Sequence, residues 1–198
     1  MHPDAMRWNA RYRQEREYFL DREPYQLVRL HAGLLPDRGL VLDVAAGVVP
    51  LGLFMVKYGL EVVALDISME ALQAAQERFR SHGQSLACAV LDLADPWLPS
   101  AHFDVVLNFY YLSRPLLARY KSALKPGGLL FCEILLWDER PGSNPQNYLR
   151  PGELEESFAD WKTLFYDETW KIGRKMTMEP RKIVQLIAQR PSERERAE

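Results

Sequence analysis

The stretch VLDVAAGVVPLG, Val41–Gly52, decides the fold. With the two residues before it, the run Gly39–Ala45 (GLVLDVA) is short, apolar and rich in β-branched residues, the pattern of a strand buried on both faces. Asp43 interrupts that run near its end, and the chain then turns tightly around Gly47. Pro50 suits the first turn of a helix, and LGLFMVKYG carries that helix to a stop at Gly59. A buried strand, an acidic turn and a helix together make the frame of a nucleotide-binding loop. Such a loop normally carries glycine at three alternate positions. Here Gly47 is present, while Ala45 and Val49 occupy the other two.

Outward from this stretch the same alternation repeats. Glu61–Ile67 (EVVALDI) reads as a second strand, and Ser68 is a good N-cap for a helix that ends at Gly83. SLACAVLDL, ending near Asp92, is a third strand, and Phe103–Phe109 (FDVVLNF) a fourth. Ser113 and Pro115 open a further helix, closed by the Pro126-Gly127-Gly128 turn, and LLFCEILLW follows as a fifth strand. Strand–helix–strand in this order predicts parallel strands joined by right-handed crossovers, a doubly wound α/β sheet. The last third changes character. RPGELEESFAD predicts a short helix, and WKTLFYDETW and RKIVQLIAQR predict two strands that pair antiparallel at one edge. The expected architecture is therefore a mostly parallel, seven-stranded sheet with an antiparallel edge hairpin. The basic connector KIGRKMTMEP joins the two edge strands, and the charged tail RPSERERAE is expected to fray.

Composition narrows the function classes. A chain of 198 residues that is 47% hydrophobic can fill one core, so a single domain is expected. A formal charge of −2 offers no electrostatic footprint for nucleic acid or an anionic membrane. No apolar run of membrane-spanning length occurs, and the charged start MHPDAMRWNARYRQERE lacks the apolar stretch of a secretory signal. Cys88 and Cys132 lie singly in apolar runs, and His2, His31, His82 and His102 are scattered, so neither a disulfide framework nor a metal site is expected. These features predict a reduced, cytoplasmic protein, a monomer or a homodimer.

In a doubly wound sheet, ligands bind beyond the carboxyl ends of the strands, at the point where strand order reverses. Asp43, Asp66, Asp92 and Asn108 stand at four successive expected strand ends, so three carboxylates and an amide converge on one crevice. A carboxylate about 20 residues beyond the first loop is placed to accept from ribose hydroxyls, which is the position of Asp66. Acids welcome a diphosphate poorly and a cationic nucleoside well. S-adenosylmethionine carries a sulfonium and an ammonium and no phosphate. Its amino-acid end can meet Asp43 and the loop amides around Ala45 and Gly47, its ribose Asp66 beside Ile67, and its adenine Asp92 beside Leu93. The G-x-G-x-x-G fingerprint of a dinucleotide site is absent, and no Tyr-x-x-x-Lys relay is evident, which speaks against a nicotinamide-dependent oxidoreductase.

The series VLDVAAGVVPLGLFMVKYG, VVALDIS, AVLDLADPWL, FDVVLNFYYLSRPLL and LKPGGLLFCEIL, roughly Leu40 to Trp137, resembles the motif series of class I S-adenosylmethionine-dependent methyltransferases. WNARYRQ and RPGELEESF resemble the tellurite-resistance and thiopurine-type small-molecule branch, which extends the resemblance over most of the chain. It implies a Rossmann-like methyltransferase fold and methyl transfer by in-line displacement to a small-molecule acceptor, with S-adenosylhomocysteine as product. It also implies a division into a helical lid (1–37) bearing Trp8 and Tyr12, a cofactor core (38–137), an acceptor-side segment (138–190) and a tail (191–198).

Val49 departs from the family pattern, because a β-branched residue disfavours positive φ and adds bulk beside the cofactor. At negative φ the loop is unharmed; at positive φ the strain is on the order of 1–3 kcal/mol. A non-catalytic, methyltransferase-like interaction module is the alternative that Val49 supports. Asn108 and Phe109 are placed to line the cofactor, and Tyr110, Tyr111 and Arg114 to face the acceptor. Asn-x-x-Tyr in Asn108–Tyr111 resembles the N-P-P-Y motif of amino-group methyltransferases, but both prolines are missing, and no nucleic-acid substrate is expected. Tyr111 and Glu133 are the candidate general bases, with an arginine-paired structural role as the alternative for Glu133.

Overall fold

Seven strands make one sheet: β1 (Gly39–Val44), β2 (Leu60–Asp66), β3 (Ala87–Val90), β4 (Phe103–Phe109), β5 (Leu124–Leu135), β6 (Lys162–Ile172) and β7 (Pro180–Gln189). Their spatial order is β3-β2-β1-β4-β5-β7-β6. The first five run parallel, and β7 pairs antiparallel with both β5 and β6. The computed structural model describes residues 2–21, 23–94, 96–139, 144–172, 179–192 and 195. Residues 173–178 of the basic connector, and 193, 194 and 196–198 of the tail, lie outside them.

Alternation along each buried strand divides the core in two. Leu42, Val44, Val106 and Leu130 face α6 (Arg114–Ala123) and α7 (Glu153–Ser157), where Leu116, Tyr120, Leu154 and Phe158 meet them. Val41, Val105, Leu107 and Phe131 face the opposite layer. There they meet α3 (Gln26–Leu30), α4 (Gly52–Lys57) and α5 (Met69–Ser81) through Val28, Met55 and Phe79. Each fully buried large aliphatic or aromatic side chain contributes about 1.5–3 kcal/mol, so the two-sided strands β1 and β4 anchor the fold. Strand order reverses between β1 and β4, and the crevice opens there.

The caps follow the expected chemistry. Ser68 Oγ accepts from the Ala71 N–H at 3.2 Å and starts α5. Ser113 Oγ accepts from the Leu116 N–H at 3.4 Å and starts α6, with Pro115 in its first turn. Several boundaries differ from expectation. β3 ends at Val90 rather than at Asp92, because Asp92 Oδ1 takes the Ala94 N–H at 3.0 Å and bends the chain into a loop. α4 begins at Gly52, since Val49–Leu51 still belong to the turn: the Gly52 N–H donates to the Val49 carbonyl at 3.1 Å. β5 starts at Leu124, five residues earlier than the apolar run suggests. Before β1 lie two further helices, α1 (Pro3–Gln14) and α2 (Arg16–Leu20).

The loop after β1 keeps the shape of a three-glycine loop with one glycine. Ala45, Gly47 and Val49 have φ of 50°, 56° and 51°, so all three alternate positions are left-handed. Val49 is therefore strained, but its side chain is 1% exposed and packs with Leu51, Met55 and Phe79, in the core rather than in the crevice. At Gly47 the φ of 56° favours glycine, and a Cβ there would displace the Tyr12 hydroxyl.

The two substitutes should respond oppositely to restoring glycine. Ala45→Gly is expected to raise the unfolding free energy by about 1 kcal/mol, because it relieves strain at a half-buried position. Val49→Gly is expected to lower it, because a strain relief of about 1–2 kcal/mol is outweighed by the lost buried side chain and the cavity left behind. Urea melts of the two variants against the parent decide the matter.

Candidate active site

Asp43 and Asp66 leave adjacent strands side by side, and each is 5% exposed. They do different things. Asp66 Oδ2 accepts from the Gly47 N–H at 2.7 Å and Oδ1 from the Ser68 N–H at 2.8 Å, so this carboxylate ties the β1 loop to the start of α5. Burial raises its pKa, while the N–H groups of Ser68, Gly47 and Ile67 pull the other way. Asp43 has no hydrogen bond or ion pair among the described residues. Burial, and then the neighbouring Asp66 charge, push its pKa up to about 8. A buried acid without a partner is costly unless something cationic or hydrogen-bonding arrives.

Asn108 lies between Val44 of β1 and Cys132 of β5 in the sheet. It is fully buried, and both of its amide atoms lack a partner among the described residues. Such orphaned groups are rare in folded proteins and point to a water or a ligand. The unpartnered Asp43 of β1, the orphaned Asn108 at the neighbouring end of β4 and Gly47 of the loop thus all lie at the reversal point. The Asp66 carboxylate, with about four lone-pair sites, also retains acceptor capacity beyond these backbone bonds. This donor and acceptor set fits a nucleoside bearing hydroxyls and a cation.

The crevice has a roof. Trp8 and Tyr12 lie on α1 with ring centroids 5.9 Å apart, and Tyr12 packs on Phe19 at 4.3 Å. His2 at the head of α1 brings Nε2 to 3.6 Å from Asp92 Oδ2. Asp92 itself is exposed and belongs to a loop, so of the three carboxylates it is the one outside the buried pair. Leu93 is core, packed on the α6 side, and Ile67 is half-buried. Arg11 sits over the Trp8 and Phe19 rings, at 5.2 and 5.5 Å, and pairs with Glu15 at 3.6 Å.

At the end of β4, Tyr110 adopts φ 62° and stays 42% exposed, with its N–H donating to the Glu133 carbonyl at 2.7 Å. Tyr111 is half-buried; burial and the charges of Asp92, Asp4 and Asp66 raise its pKa, so at neutral pH it is a hydrogen-bond donor rather than a base. Two expectations need correction. Glu133 is fully buried and both its oxygens are taken, by Lys171 Nζ at 2.7 and 2.9 Å and by Gln185 Nε2 at 2.6 Å. Its partner is a lysine from the edge hairpin, not an arginine. Arg114 does not face an open pocket: it holds Glu153 at 2.6 Å and the Gln146 and Tyr148 carbonyls, clasping the segment after β5 to α6.

Several residues escaped sequence reasoning. Tyr25 stacks parallel on Phe109 at 4.1 Å, Asn9 reaches the N-terminus of α5, and Lys171 and Gln185 satisfy Glu133. A buried glutamate in an apolar strand signalled that some cation must reach it, but not which one.

Fold, loop and paired acids together resemble those of class I S-adenosylmethionine-dependent methyltransferases. Residues 41–128 match the methyltransferase domain family, a span from β1 into β5. The chain is 28% identical over 109 residues to the Bacillus subtilis (strain 168) protein YqeM, which is named a methyltransferase provisionally. That alignment covers 50% of this chain and 44% of YqeM, so the chain matches less than half the length of that relative. Among solved structures, TehB from Haemophilus influenzae superposes with a TM-score of 0.74 at 16% identity, covering 92% of this chain and 67% of TehB. A SAM-dependent methyltransferase from Methanosarcina mazei gives 0.67 at 17% identity, covering 87% of this chain and 100% of that one. The chain thus resembles the tellurite-resistance, TehB-like branch in fold, and S-adenosylmethionine is the cofactor to which the family match and fold point. No described helix is long and apolar enough to cross a membrane.

Two outcomes follow from the buried acids. Asp43 has a folded pKa near 8 against 3.8 for the ordinary carboxyl, so its protonated form favours the fold at low pH and this contribution is lost as pH rises through about 8. A cationic ligand favours the ionised form. Its binding should therefore release a proton below pH 8 and weaken by up to about tenfold per pH unit as pH falls from 8 to 6. Calorimetric titration in two buffers of different ionisation enthalpy reads that proton, and Asp43→Asn should abolish it. Lys171→Met should destabilise by about 3–5 kcal/mol, because it strands a buried carboxylate, whereas Glu133→Leu with Lys171→Met should recover most of the loss. Denaturant melts of the single and double variants check this.

Proposed function

We propose that the protein transfers a methyl group from S-adenosylmethionine to a small-molecule acceptor. The observation that carries this reading is the buried, unpartnered Asp43 beside a loop that Asp66 holds open. The cofactor supplies a methyl group already activated on a positively charged sulfonium. The chain's own residues bind and orient. Asp43 and the amides around Ala45 and Gly47 receive the amino-acid end, and the spare lone pairs of Asp66 receive the ribose beside Ile67. Asp92 and Leu93 border the adenine, and Asn108 turns its free amide toward the reacting end. Trp8 and Tyr12 cover the crevice as part of a lid over residues 1–37. The core over 38–137 and the acceptor side over 138–190 complete the single domain.

Tyr110 and Tyr111 border the acceptor in this reading, Tyr110 as an exposed ring and Tyr111 as a donor. With Glu133 engaged by Lys171 and Gln185, and Tyr111 kept protonated, neither serves as general base. The acceptor therefore arrives ionised, or loses its proton to solvent. The net charge of −2 and the acids lining the crevice favour a small acceptor over a nucleic acid. The alternative of a non-catalytic interaction module drew on Val49, and a Val49 side chain packed into the core adds no bulk to the crevice.

Calorimetric titration with S-adenosylmethionine and S-adenosylhomocysteine, with NADPH as control, tests the proposal. Micromolar binding of both sulfur nucleosides is expected, at least tenfold weaker in Asp66→Ala and absent for NADPH. Absence of binding to either sulfur nucleoside overturns it.

A further inference from the structure

A continuous run of hydrogen bonds joins the roof of the crevice to its floor. Asn9 of α1 directs Oδ1 at the start of α5, accepting from the Ser68 hydroxyl at 2.8 Å and the Glu70 N–H at 3.3 Å. The Ser68 N–H donates to Asp66 Oδ1 at 2.8 Å, and the other oxygen of Asp66 takes the Gly47 N–H at 2.7 Å. Helix, cap, carboxylate and loop thus form one relay. Ser68 and Asp66 are both buried, so these bonds have little competition from water.

The placement of α1 gives the relay a consequence. The helix crosses three successive strand ends: His2 beside Asp92 after β3, Asn9 on Ser68 after β2, and Tyr12 on Gly47 after β1. At the end of β4, Tyr110 is 42% exposed and is flanked by Tyr25 and Lys171 rather than by α1. A nucleoside held on Asp43 and Asp66 therefore lies under α1, whereas an acceptor approaches from the side that α1 leaves free. Lifting α1 breaks both Asn9 bonds, the one from the Ser68 hydroxyl and the one from the Glu70 N–H.

We infer that Asn9 is a positioning residue that latches α1 to the Asp66-braced loop, so that cofactor exchange requires the latch to open. The inference rests on the cofactor reading given above. It makes exchange of the cofactor slow relative to exchange of the acceptor, and makes the closed roof and the ordered loop a single state. Arg13, which pairs with Glu70 at 2.9 Å on the exposed flank, adds little, because solvent screens it.

The test is the dissociation rate of radiolabelled S-adenosylhomocysteine from the full chain, chased with unlabelled ligand. Asn9→Leu, which keeps the bulk and removes the acceptor, should release it about tenfold faster, equivalent to about 1.4 kcal/mol. Asn9→Asp, which keeps an oxygen for the Ser68 hydroxyl and the Glu70 N–H, should release it at close to the parental rate. Amide hydrogen exchange on the unmutated chain gives a second measure: ligand binding should slow exchange across residues 4–14 together with Gly47. Release from Asn9→Leu at the parental rate, or exchange in α1 that ignores the ligand, overturns the latch while leaving the methyltransferase reading intact. Failure of the unmutated chain to bind the nucleoside overturns both.

Discussion

One carboxylate organises this end of the molecule. Asp66 stands at the end of β2 and spends one oxygen on the loop after β1 and the other on the cap of α5. Those two segments carry strained and orphaned groups: a loop with three left-handed residues, and a helix N-terminus whose first amides have no intrahelical acceptor. Hydrogen bonds to an ionised acceptor are the strong ones, and burial strengthens them further. In the proposed function the carboxylate that braces the loop is also the one that meets the ribose, so shape and recognition would rest on the same group.

Its neighbour shows the cost of that arrangement. Two acids at the ends of adjacent buried strands cannot both be charged cheaply, and the one richer in hydrogen bonds keeps its charge more readily. Asp66 has backbone amides; Asp43 has none, and its pKa climbs to about 8. The pair is an unfavourable feature of the free protein that a cation relieves. A scaffold with no ligand to bind gains nothing from keeping Asp43 buried and unpartnered, and an apolar residue there would continue the packing of Val41 and Leu107.

The mostly parallel seven-stranded sheet and its antiparallel edge hairpin were legible in the sequence, because they rest on local pattern. β-branched runs, serine caps and the spacing from Asp43 to Asp66 are short-range signals. Val49 marked the loop as unusual, and its positive φ confirms the strain. The direction of its side chain could not be read, because it depends on Phe79 and Met55, contributed by two different helices. Glu133 illustrates the same limit. Its burial demanded a partner, but the partner comes from 38 residues away, across the edge hairpin. Arg114 looked available because its carboxylate, Glu153, lies 39 residues on and meets it only through α6–α7 packing. Boundaries failed where a polar side chain took over a backbone amide, as at Asp92.

Strain and latch are two sides of the same economy of binding. Left-handed alanine and valine raise the energy of the loop, and what holds them there is contact made elsewhere: the core around Val49, the carboxylate of Asp66 and the Tyr12 ring on Gly47. Tyr12 belongs to α1, so the loop keeps its shape most firmly while α1 is seated. A glycine loop needs no such support and tolerates a mobile roof. Replacing two of three glycines therefore shifts part of the work of holding the loop onto the N-terminal helix. That helix becomes part of the site's ground state rather than a cover added after binding.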